Sequence, residues 1–453
     1  MARNRKITFS TTQIILLSFL LTILLGSLLL ALPISSASGK AVPYLDALFT
    51  ATTSTCVTGL VTLPTVSTWS VFGQIVILIL IQVGGLGIIT IMSGLMILLR
   101  KKMGIGDRLL IQDAFNLNTM SGLVKFIKNV LFGTLIIEGI GALCYMLVFI
   151  PEFGARGIWI SVFNAVSAFC NAGIDIIAEN SLCDYATNPL INGVTSTLIV
   201  LGGLGYIVWW DVIRVLKSRT AKNRKIFKYL TLHSKIAITF TAGLIFVGGI
   251  LIFIFEYSNP STIGEMSLFD KLQVSFFQSI TTRTAGFATV PQENLTNASA
   301  TLSILLMMIG GSPVGTAGGM KTVTIAVLLC SAFATVRNKN ESTLFGRRIS
   351  EQSVKKAVAV AVTFITICVI STILLMLGSN ASAIDVVYEA VSATATVGLS
   401  RNFTATLDVF GKCTVITAMY FGRVGPISLA VAIGSKNGSQ NVISEPVEEI
   451  SIG

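Results

Sequence analysis

Long apolar runs with few or no charged residues alternate with short basic segments along the chain. A helix that crosses a bilayer needs about 20 apolar residues, and the pattern predicts eight such segments. They lie at residues 14–32, about 71–99, 129–150, 190–210, 236–255, 301–336, 357–377 and 408–435. The sixth segment is too long for one straight helix, so we expect it to be broken.

The eight segments form four pairs, and a shorter helix-like stretch lies between the two members of each pair. Each stretch ends at a glycine and has an aromatic residue ten positions before it, at Phe49, Phe163, Phe276 and Tyr388. The stretches are Asp46-ALFTATTSTCVT-Gly59, Ile160-SVFNAVSAFCNA-Gly173, Gln273-VSFFQSITTRTA-Gly286 and Asp385-VVYEAVSATATV-Gly398. The glycines recur every 112 to 114 residues, which indicates four copies of one helix–short helix–helix unit.

These copies predict an all-α membrane protein whose four tandem units surround a pseudo-fourfold axis. We expect the units to cover residues 1–100, 101–217, 218–340 and 341–435, followed by a tail at 436–453. Basic residues concentrate before the first pair, at 1–11, and between the pairs, at 100–128, 211–235 and 337–356. Lys436 follows in the tail. Basic segments are retained on the cytoplasmic side, so both termini are predicted to lie inside.

The composition agrees with a polytopic membrane protein, because 53% of the 453 residues are apolar and only 12% are charged. The net charge of +11 could suggest nucleic acid. However, aromatic residues do not interleave with the basic ones as a single-strand groove requires, so no nucleic-acid partner is expected. Segment 14–32 follows basic residues as a signal peptide would, but its length favours a first membrane helix.

Cysteine and histidine chemistry gives no sign of an enzyme. The seven cysteines form no CxxC pair, and His233 is the only histidine. Metal clusters and histidine-based catalysis are therefore not expected, and an odd, scattered cysteine count does not indicate a disulfide framework. No catalytic residue and no covalent cofactor is predicted.

Four re-entrant stretches around one axis are typical of an ion pore. Non-helical backbone survives at membrane depth only when it is buried in protein or faces a water-filled cavity. Rings of backbone carbonyls can replace the water around a dehydrated alkali cation. Glycine suits such a position because it tolerates positive φ. For any single glycine the alternative is close helix packing, but four in register favour a pore.

The stretches end in TCVTGL, CNAGID, RTAGFA and ATVGLS, and here the chain resembles the Trk/Ktr/HKT potassium transporters. Among them it is most similar to the KtrB membrane subunit of Ktr systems and its NtpJ relatives. The resemblance implies potassium uptake, K⁺ as the transported ion, and potassium preference from glycine at position 59. It also implies a selectivity filter made of Cys56, Val57, Thr58, Gly59, Cys170, Asn171, Ala172, Gly173, Arg283, Thr284, Ala285, Gly286, Ala395, Thr396, Val397 and Gly398.

The broken sixth segment contains Gly310-GSPVGTAGG-Met320, with five glycines and one proline in ten residues. It lacks the GxxxxGK[ST] spacing of a phosphate loop and resembles the family's intramembrane gating loop. Arg423 interrupts the last apolar segment and resembles the family's arginine below the filter. The implied gate comprises Gly310, Gly311, Ser312, Pro313, Val314, Gly315, Thr316, Ala317, Gly318, Gly319, Lys321 and Arg423.

Other charges and glycines inside the apolar segments lead to separate expectations. We expect Arg283 to point behind the filter toward an acid, and Glu138 to pair two helices, with a proton relay as the alternative. For Lys321, snorkelling and function stay open. Glycines in the second segments of the first two units are expected to serve helix packing: Gly84, Gly85, Gly87, Gly202, Gly203 and Gly205.

Three classes of function compete, namely a gated potassium pore, a sodium- or proton-coupled potassium symporter, and a membrane enzyme. With units in parallel orientation and only one expected broken span, the pattern favours the pore over alternating access. The family resemblance further implies a membrane homodimer in a bacterial plasma membrane. It also implies a cytoplasmic ring of KtrA-like regulatory subunits, which would hold any nucleotide.

Overall fold

The computed structural model describes residues 11–99, 104–114, 122–217, 226–339 and 341–425. The predicted basic N-terminus and tail 436–453, with Lys436, lie outside the described residues. So do the end of segment 408–435 and parts of the basic segments at 100–128 and 211–235. We call residues 11–99 unit 1, residues 122–217 unit 2, residues 226–339 unit 3 and residues 341–425 unit 4.

Units 1 and 2 follow the same order, a long helix, a short buried helix and a bent pair of helices. Unit 1 contains α1 (Thr11–Leu30), α2 (Tyr44–Cys56), α3 (Thr65–Thr68), α4 (Val71–Leu86) and α5 (Ile88–Leu98). After α6 (Ile105–Ala114), unit 2 contains α7 (Leu123–Phe153), α8 (Arg156–Cys170), α9 (Pro189–Leu204) and α10 (Tyr206–Lys217).

Units 3 and 4 repeat the long and short helices but end differently. Unit 3 contains α11 (Ile226–Tyr229), α12 (Leu232–Glu256), α13 (Leu268–Thr281), α14 (Asn297–Met308) and α15 (Thr322–Val336). Unit 4 begins with a two-stranded hairpin, β1 (Thr343–Leu344) and β2 (Arg347–Arg348), and continues with α16 (Glu351–Gly378), α17 (Ala383–Ala395) and α18 (Val409–Val424).

Four helices in the described part of the chain are long and apolar enough to cross a membrane, and they are α1, α7, α12 and α16. Each bent pair, α4 with α5 and α9 with α10, adds one further candidate span. Large apolar side chains on these helices are exposed, for example Leu147 and Val362. Such a surface fits contact with lipid, and the protein is a mostly helical, multi-pass membrane protein.

The two bends contradict the expectation that only the sixth segment is broken. The chain turns by 98° between α4 and α5 and by 94° between α9 and α10. The residues at the bends are Gly87 and Gly205, whose φ angles are +84° and +86°. Residues with side chains rarely adopt this conformation, so both glycines break the helix. Gly205 also allows close packing, because a β-carbon there would overlap the Pro313 oxygen.

Close packing does occur at Gly84, Gly202 and Gly422, which lie in the second apolar segments of units 1, 2 and 4. A β-carbon at Gly84 or Gly202 would overlap a main-chain oxygen of the unit's own short helix, and the same holds for Gly422 in unit 4. These oxygens belong to Thr55, Phe169 and Thr394, each four residues before the glycine that ends its stretch. The glycines thus let α4, α9 and α18 approach the ends of the short helices.

The short helices form the centre of the molecule although many of their side chains are polar. In α2, Thr52, Thr53, Ser54 and Thr55 have no exposed surface. Two of these hydroxyls bond to the helix itself, since Thr52 Oγ1 donates to the Leu48 carbonyl and Ser54 Oγ to the Thr50 carbonyl, both at 2.7 Å. Such bonds satisfy hydroxyls without a partner elsewhere, so a polar helix can be buried at this depth.

Candidate functional site

Each short helix ends in a backbone turn that the sequence did not predict. The residue two positions before each glycine has a left-handed conformation, at Val57, Asn171, Thr284 and Thr396. In three units this residue caps the short helix, and α2, α8 and α17 all end three residues before the glycine. A β-branched residue in this region is strained by about 1–2 kcal/mol, so surrounding contacts must hold the turn.

The four glycines meet in a closed ring. A β-carbon at Gly59 would lie 2.6 Å from the Ala172 oxygen, and one at Gly173 would lie 2.6 Å from the Ala285 oxygen. One at Gly286 would lie 2.5 Å from the Val397 oxygen, and one at Gly398 would overlap the Thr58 oxygen. Their φ angles are +99°, +63°, +85° and +97° in chain order. No side chain fits anywhere on this ring.

The sequence-predicted residues of the four segments are thereby brought together. We call residues 56–59, 170–173, 283–286 and 395–398 the glycine segments. Their side chains are buried, and only Gly173 and Gly398 retain intermediate exposure. Consecutive segments are in contact around the ring. The fourth segment also contacts the first, because the main-chain oxygen of Thr58 lies where a β-carbon at Gly398 would be.

Hydroxyl groups on the short helices support the glycine segments, and sequence reasoning missed them. Thr53 Oγ1 accepts from the Gly59 amide at 3.0 Å, and Ser392 Oγ accepts from the Gly398 amide at 3.1 Å. In unit 2, Ser167 Oγ accepts from the next amide, that of Ile174, at 3.2 Å. The sequence did contain a signal for this support, because three of the four stretches have a hydroxyl residue six positions before the glycine.

A cavity of about 330 Å³ opens above the ring. It is lined by all four ring glycines and by acidic side chains that include Asp175, Glu179 and Glu293. Burial raises the pKa of Asp175 to about 6, although bonds from Ser181 and from two main-chain amides oppose the shift. This mouth favours cations whenever these carboxylates are ionised.

The Gly310–Gly319 loop lies on the opposite side of the ring. Thr316 Oγ1 lies 3.0 Å from Asn171 Oδ1, and the Gly318 amide donates to Thr284 Oγ1 at 3.1 Å. Main-chain bonds connect the same loop to the end of α9, from Ser312 to the Gly203 oxygen (2.7 Å) and from Thr316 to the Gly202 oxygen (3.1 Å). The loop therefore contacts the glycine segments directly.

Arg423 connects this loop to unit 1. Its Nη1 donates to the Thr316 oxygen at 2.5 Å, and its Nη2 donates to the Gly84 oxygen at 2.6 Å. Nearby, Lys321 Nζ donates to the Ala317 oxygen at 2.5 Å. A cavity of about 410 Å³ is lined by both basic side chains, by the loop and by Tyr206. Two basic side chains and a backbone loop thus occupy the space beneath the ring.

The expectation that Arg283 pairs with an acid is wrong. Its Nη2 donates to the Gly310 oxygen at 3.0 Å, and its side chain is buried behind the third glycine segment. The broken helix leaves that carbonyl available, which explains why no carboxylate is needed. Glu138 does join two helices, because Gln82 Nε2 of α4 donates to its Oε2 at 3.2 Å.

Within the described residues, no group of three or more His, Cys, Asp and Glu side chains could hold a metal ion. All seven cysteines are free. The structure instead combines long lipid-facing helices with short buried helices that end at a common ring of backbone. These features define a multi-pass membrane protein whose short buried helices converge on a ring of backbone.

Comparison with known proteins gives the family. The family model described as "TrkH: Cation transport protein" matches residues 3–443, and the chain belongs to this family of cation transporters, which are not enzymes. The potassium/sodium uptake protein NtpJ of Enterococcus hirae is 38% identical and aligns with 100% of this chain and 99% of its own length. The Ktr system potassium uptake protein B of Bacillus subtilis is 37% identical over 99% and 98%.

The fold has a solved counterpart. The potassium transporter TrkH from Vibrio parahaemolyticus superposes with a TM-score of 0.76 over 96% of this chain and 87% of that one. Only 15% of the aligned residues are identical, so this likeness concerns the fold alone.

Proposed function

We propose that the chain carries potassium ions into the cell through a pore that passes through the ring of glycine segments. Eight segments would cross the membrane, two from each unit, around a pseudo-fourfold axis. The first crossings are α1, α7, α12 and α16, and the second crossings follow the short helices. The basic segments between the pairs support cytoplasmic termini. We propose that the four units have the boundaries predicted from the sequence, at 1–100, 101–217, 218–340 and 341–435.

The closed ring is the observation that carries this proposal. A passage bounded by backbone from four sides offers carbonyl oxygens that can replace the hydration shell of a cation. The short helices end at the ring, and helix C-termini carry partial negative charge. Both features favour a cation over an anion in this position.

Potassium is proposed as the cation for two reasons. The relatives NtpJ and KtrB are named potassium uptake proteins. In the Trk/Ktr/HKT transporters, which this chain resembles, glycine at the position of Gly59 accompanies potassium preference. NtpJ is also named for sodium, so we propose sodium as the competing ion. All four glycine segments depart from the channel sequence TVGYG, which favours moderate selectivity.

Closure is assigned to the Gly310–Gly319 loop and Arg423. The loop bonds to two glycine segments from below, and Arg423 ties it to unit 1 with a fixed positive charge. Both would oppose cation passage until the loop moves. Lys321 at the end of the loop places a second basic side chain in the same cavity.

A cytoplasmic regulator is proposed to move the loop. Three of the relatives are named as Ktr system proteins, which supports a membrane subunit that works with a partner. We propose a ring of KtrA-like nucleotide-binding subunits that contacts the basic cytoplasmic segments. We also propose a homodimer of this chain in the plasma membrane.

A sodium- or proton-coupled symporter is the alternative. The bends at Gly87 and Gly205 remove one argument against it, because broken helices are typical of coupled transporters. The ring still favours the pore, since all four units contribute to one passage.

Ion flux separates the two functions. Purified protein in proteoliposomes should take up rubidium in proportion to the applied voltage, whether or not a sodium or pH gradient is present. A coupled symporter would instead accumulate rubidium at zero voltage when a sodium or pH gradient is imposed. Rubidium accumulation of that kind would contradict the pore.

A further inference from the structure

Arg401 joins the outer flanks of two neighbouring glycine segments. It follows Gly398 by three residues, and its side chain is only 9% exposed. Its Nε donates to Asp385 Oδ1 at the outer start of α17, at 2.6 Å. Its terminal nitrogens donate to main-chain oxygens of the loop after Gly286, namely those of Gln292 (2.8 Å), Glu293 (3.1 Å) and Leu295 (3.4 Å). One guanidinium therefore ties unit 4 to unit 3.

Gln292 connects the same loop to both short helices. Its side-chain amide pairs reciprocally with that of Gln278 on α13, at 2.6 and 3.2 Å. The hydroxyl of Tyr388 on α17 donates to Gln292 Oε1 at 3.0 Å. All three side chains are at most 3% exposed. The side chain and main chain of Gln292 thus hold the third unit against the fourth from two directions.

In the other units, different residues occupy the positions of Arg401 and Tyr388. The position of Arg401 is occupied by Thr62 in unit 1, and Thr62 Oγ1 bonds only to Asp46, the counterpart of Asp385, at 2.9 Å. The position of Tyr388 is occupied by phenylalanine in the other three units, at Phe49, Phe163 and Phe276. The guanidinium and the hydroxyl of unit 4 are therefore additions to a common plan, and both reach Gln292.

We propose that Arg401, Gln292 and Tyr388 act as a positioning unit that sets the potassium-over-sodium selectivity of the pore. They would do so by fixing the spacing between the third and fourth glycine segments. This inference rests on the pore function proposed above. None of the three needs to touch the ion, because each acts through the loop and the short helices.

The geometry of the ring makes its carbonyl spacing sensitive to this junction. A β-carbon at Gly286 would lie 2.5 Å from the Val397 oxygen and 3.2 Å from the Gly398 α-carbon, so the two segments are in direct contact. Ser400, the residue before Arg401, is held to its own short helix by a 2.6 Å bond to Glu389. A shift of the junction would therefore move the carbonyls of segments 283–286 and 395–398 relative to each other. Discrimination between cations depends on the number and arrangement of such carbonyls.

The test compares potassium-to-sodium permeability ratios in proteoliposomes made from the full chain. Arg401→Gln should lower the ratio by about tenfold, because it removes charge-assisted bonds to unit 3. Arg401→Lys keeps the charge and can still pair with Asp385, so we expect a smaller decrease. Tyr388→Phe restores the residue of the other units and should lower the ratio by about twofold through loss of one hydrogen bond. Lys40→Gln, at an exposed position outside this junction, is the matched control and should leave the ratio unchanged.

Other outcomes overturn the inference. If the Tyr388→Phe and Arg401→Gln proteins show lower thermal stability with an unchanged ratio, the junction is structural only. If Arg401→Gln changes both fluxes equally and Arg401→Gln with Asp385→Asn restores them, the effect is electrostatic and not positional. Should Arg401→Gln fail to fold, Tyr388→Phe decides, and an unchanged ratio there refutes the proposal. If neither the parent protein nor a folded variant that lacks part of the Gly310–Gly319 loop takes up rubidium, the proposed function itself is contradicted.

Discussion

Replacing Arg423 by glutamine should open a leak through the pore. The substitution removes a fixed positive charge. It also removes the guanidinium that donates to both the Thr316 oxygen and the Gly84 oxygen. A unit charge about 8 Å from a passing cation opposes it by about 2 kcal/mol at an effective dielectric constant of about 20. That barrier corresponds to about 30-fold in rate. We therefore expect rubidium flux through Arg423→Gln to rise by about one order of magnitude or more.

Two further variants separate the charge from the hydrogen bonds. Arg423→Ala should behave like Arg423→Gln, since both lose the charge. Arg423→Lys should keep most of the barrier, but one ammonium group does not reproduce the planar fork of a guanidinium. The loop should therefore be less firmly held, with a modest rise in flux. Arg347→Gln, at an exposed site on the hairpin, is the matched control for loss of an arginine.

The assay is rubidium uptake by proteoliposomes without any cytoplasmic partner, divided by the amount of folded protein from size exclusion. If Arg423 merely held two helices together, its loss would lower thermal stability and yield without raising flux per folded molecule. Unchanged or reduced flux in well-folded Arg423→Gln would refute the barrier.

Two other substitutions and one deletion test the remaining parts of the site. Gly59→Ser places a side chain where φ is +99° and where a β-carbon would lie 2.6 Å from the Ala172 oxygen. The potassium-to-sodium flux ratio should therefore fall. An equal ratio in mutant and parent would argue against the filter assignment. Deletion of part of the Gly310–Gly319 loop should raise flux in the absence of any partner, and a folded deletion variant that conducts no faster would show that the loop is not the gate. Because burial raises the pKa of Asp175 to about 6, its carboxylate is charged above that pH and neutral below it. Uptake should therefore decrease as external pH falls through 6, and the decrease should be smaller in Asp175→Asn; identical pH profiles would exclude a role for this group.

The period of the four units was readable from the sequence because the copies have almost equal length and keep one glycine each. The same regularity predicted that the four glycine segments could meet at one place. The support behind them was not predicted, although Thr53, Ser167 and Ser392 occupy one register. Serine and threonine are common in buried helices, where they bond to their own backbone, so their type alone carried little information.

The bends in units 1 and 2 could not be seen in hydropathy, because α5 and α10 begin with apolar residues just as α4 and α9 end with them. Glycine both permits close packing and permits positive φ, and the packing interpretation was applied to the whole group. The motif itself separates the two roles. Gly84-Gly85-Leu86-Gly87 and Gly202-Gly203-Leu204-Gly205 have identical composition and order, with packing at the first glycine and the break at the last.

The partner of Arg283 was predicted wrongly for a different reason. A buried guanidinium needs acceptors, and sequence shows candidate carboxylates more readily than free carbonyls. The acceptor is the Gly310 oxygen, which is available because the sixth segment is broken there. Considering the carbonyls of the broken helix as acceptors for Arg283 would have identified it.

Fusion of four units into one chain makes the arrangement beneath the ring physically possible. Unit 4 has Gly422-Arg423-Val424-Gly425 where units 1 and 2 have Gly-Gly-Leu-Gly, so Arg423 corresponds to Gly85 and Gly203. Four identical subunits would place four guanidinium groups at this level, and two such charges about 6 Å apart repel by about 3 kcal/mol at an effective dielectric constant of about 20. Unequal units avoid that cost, because glycines at two corresponding positions leave carbonyls and space for one arginine. In the proposed pore, the fixed charge of Arg423 would then oppose cations while the third unit supplies the loop that it holds.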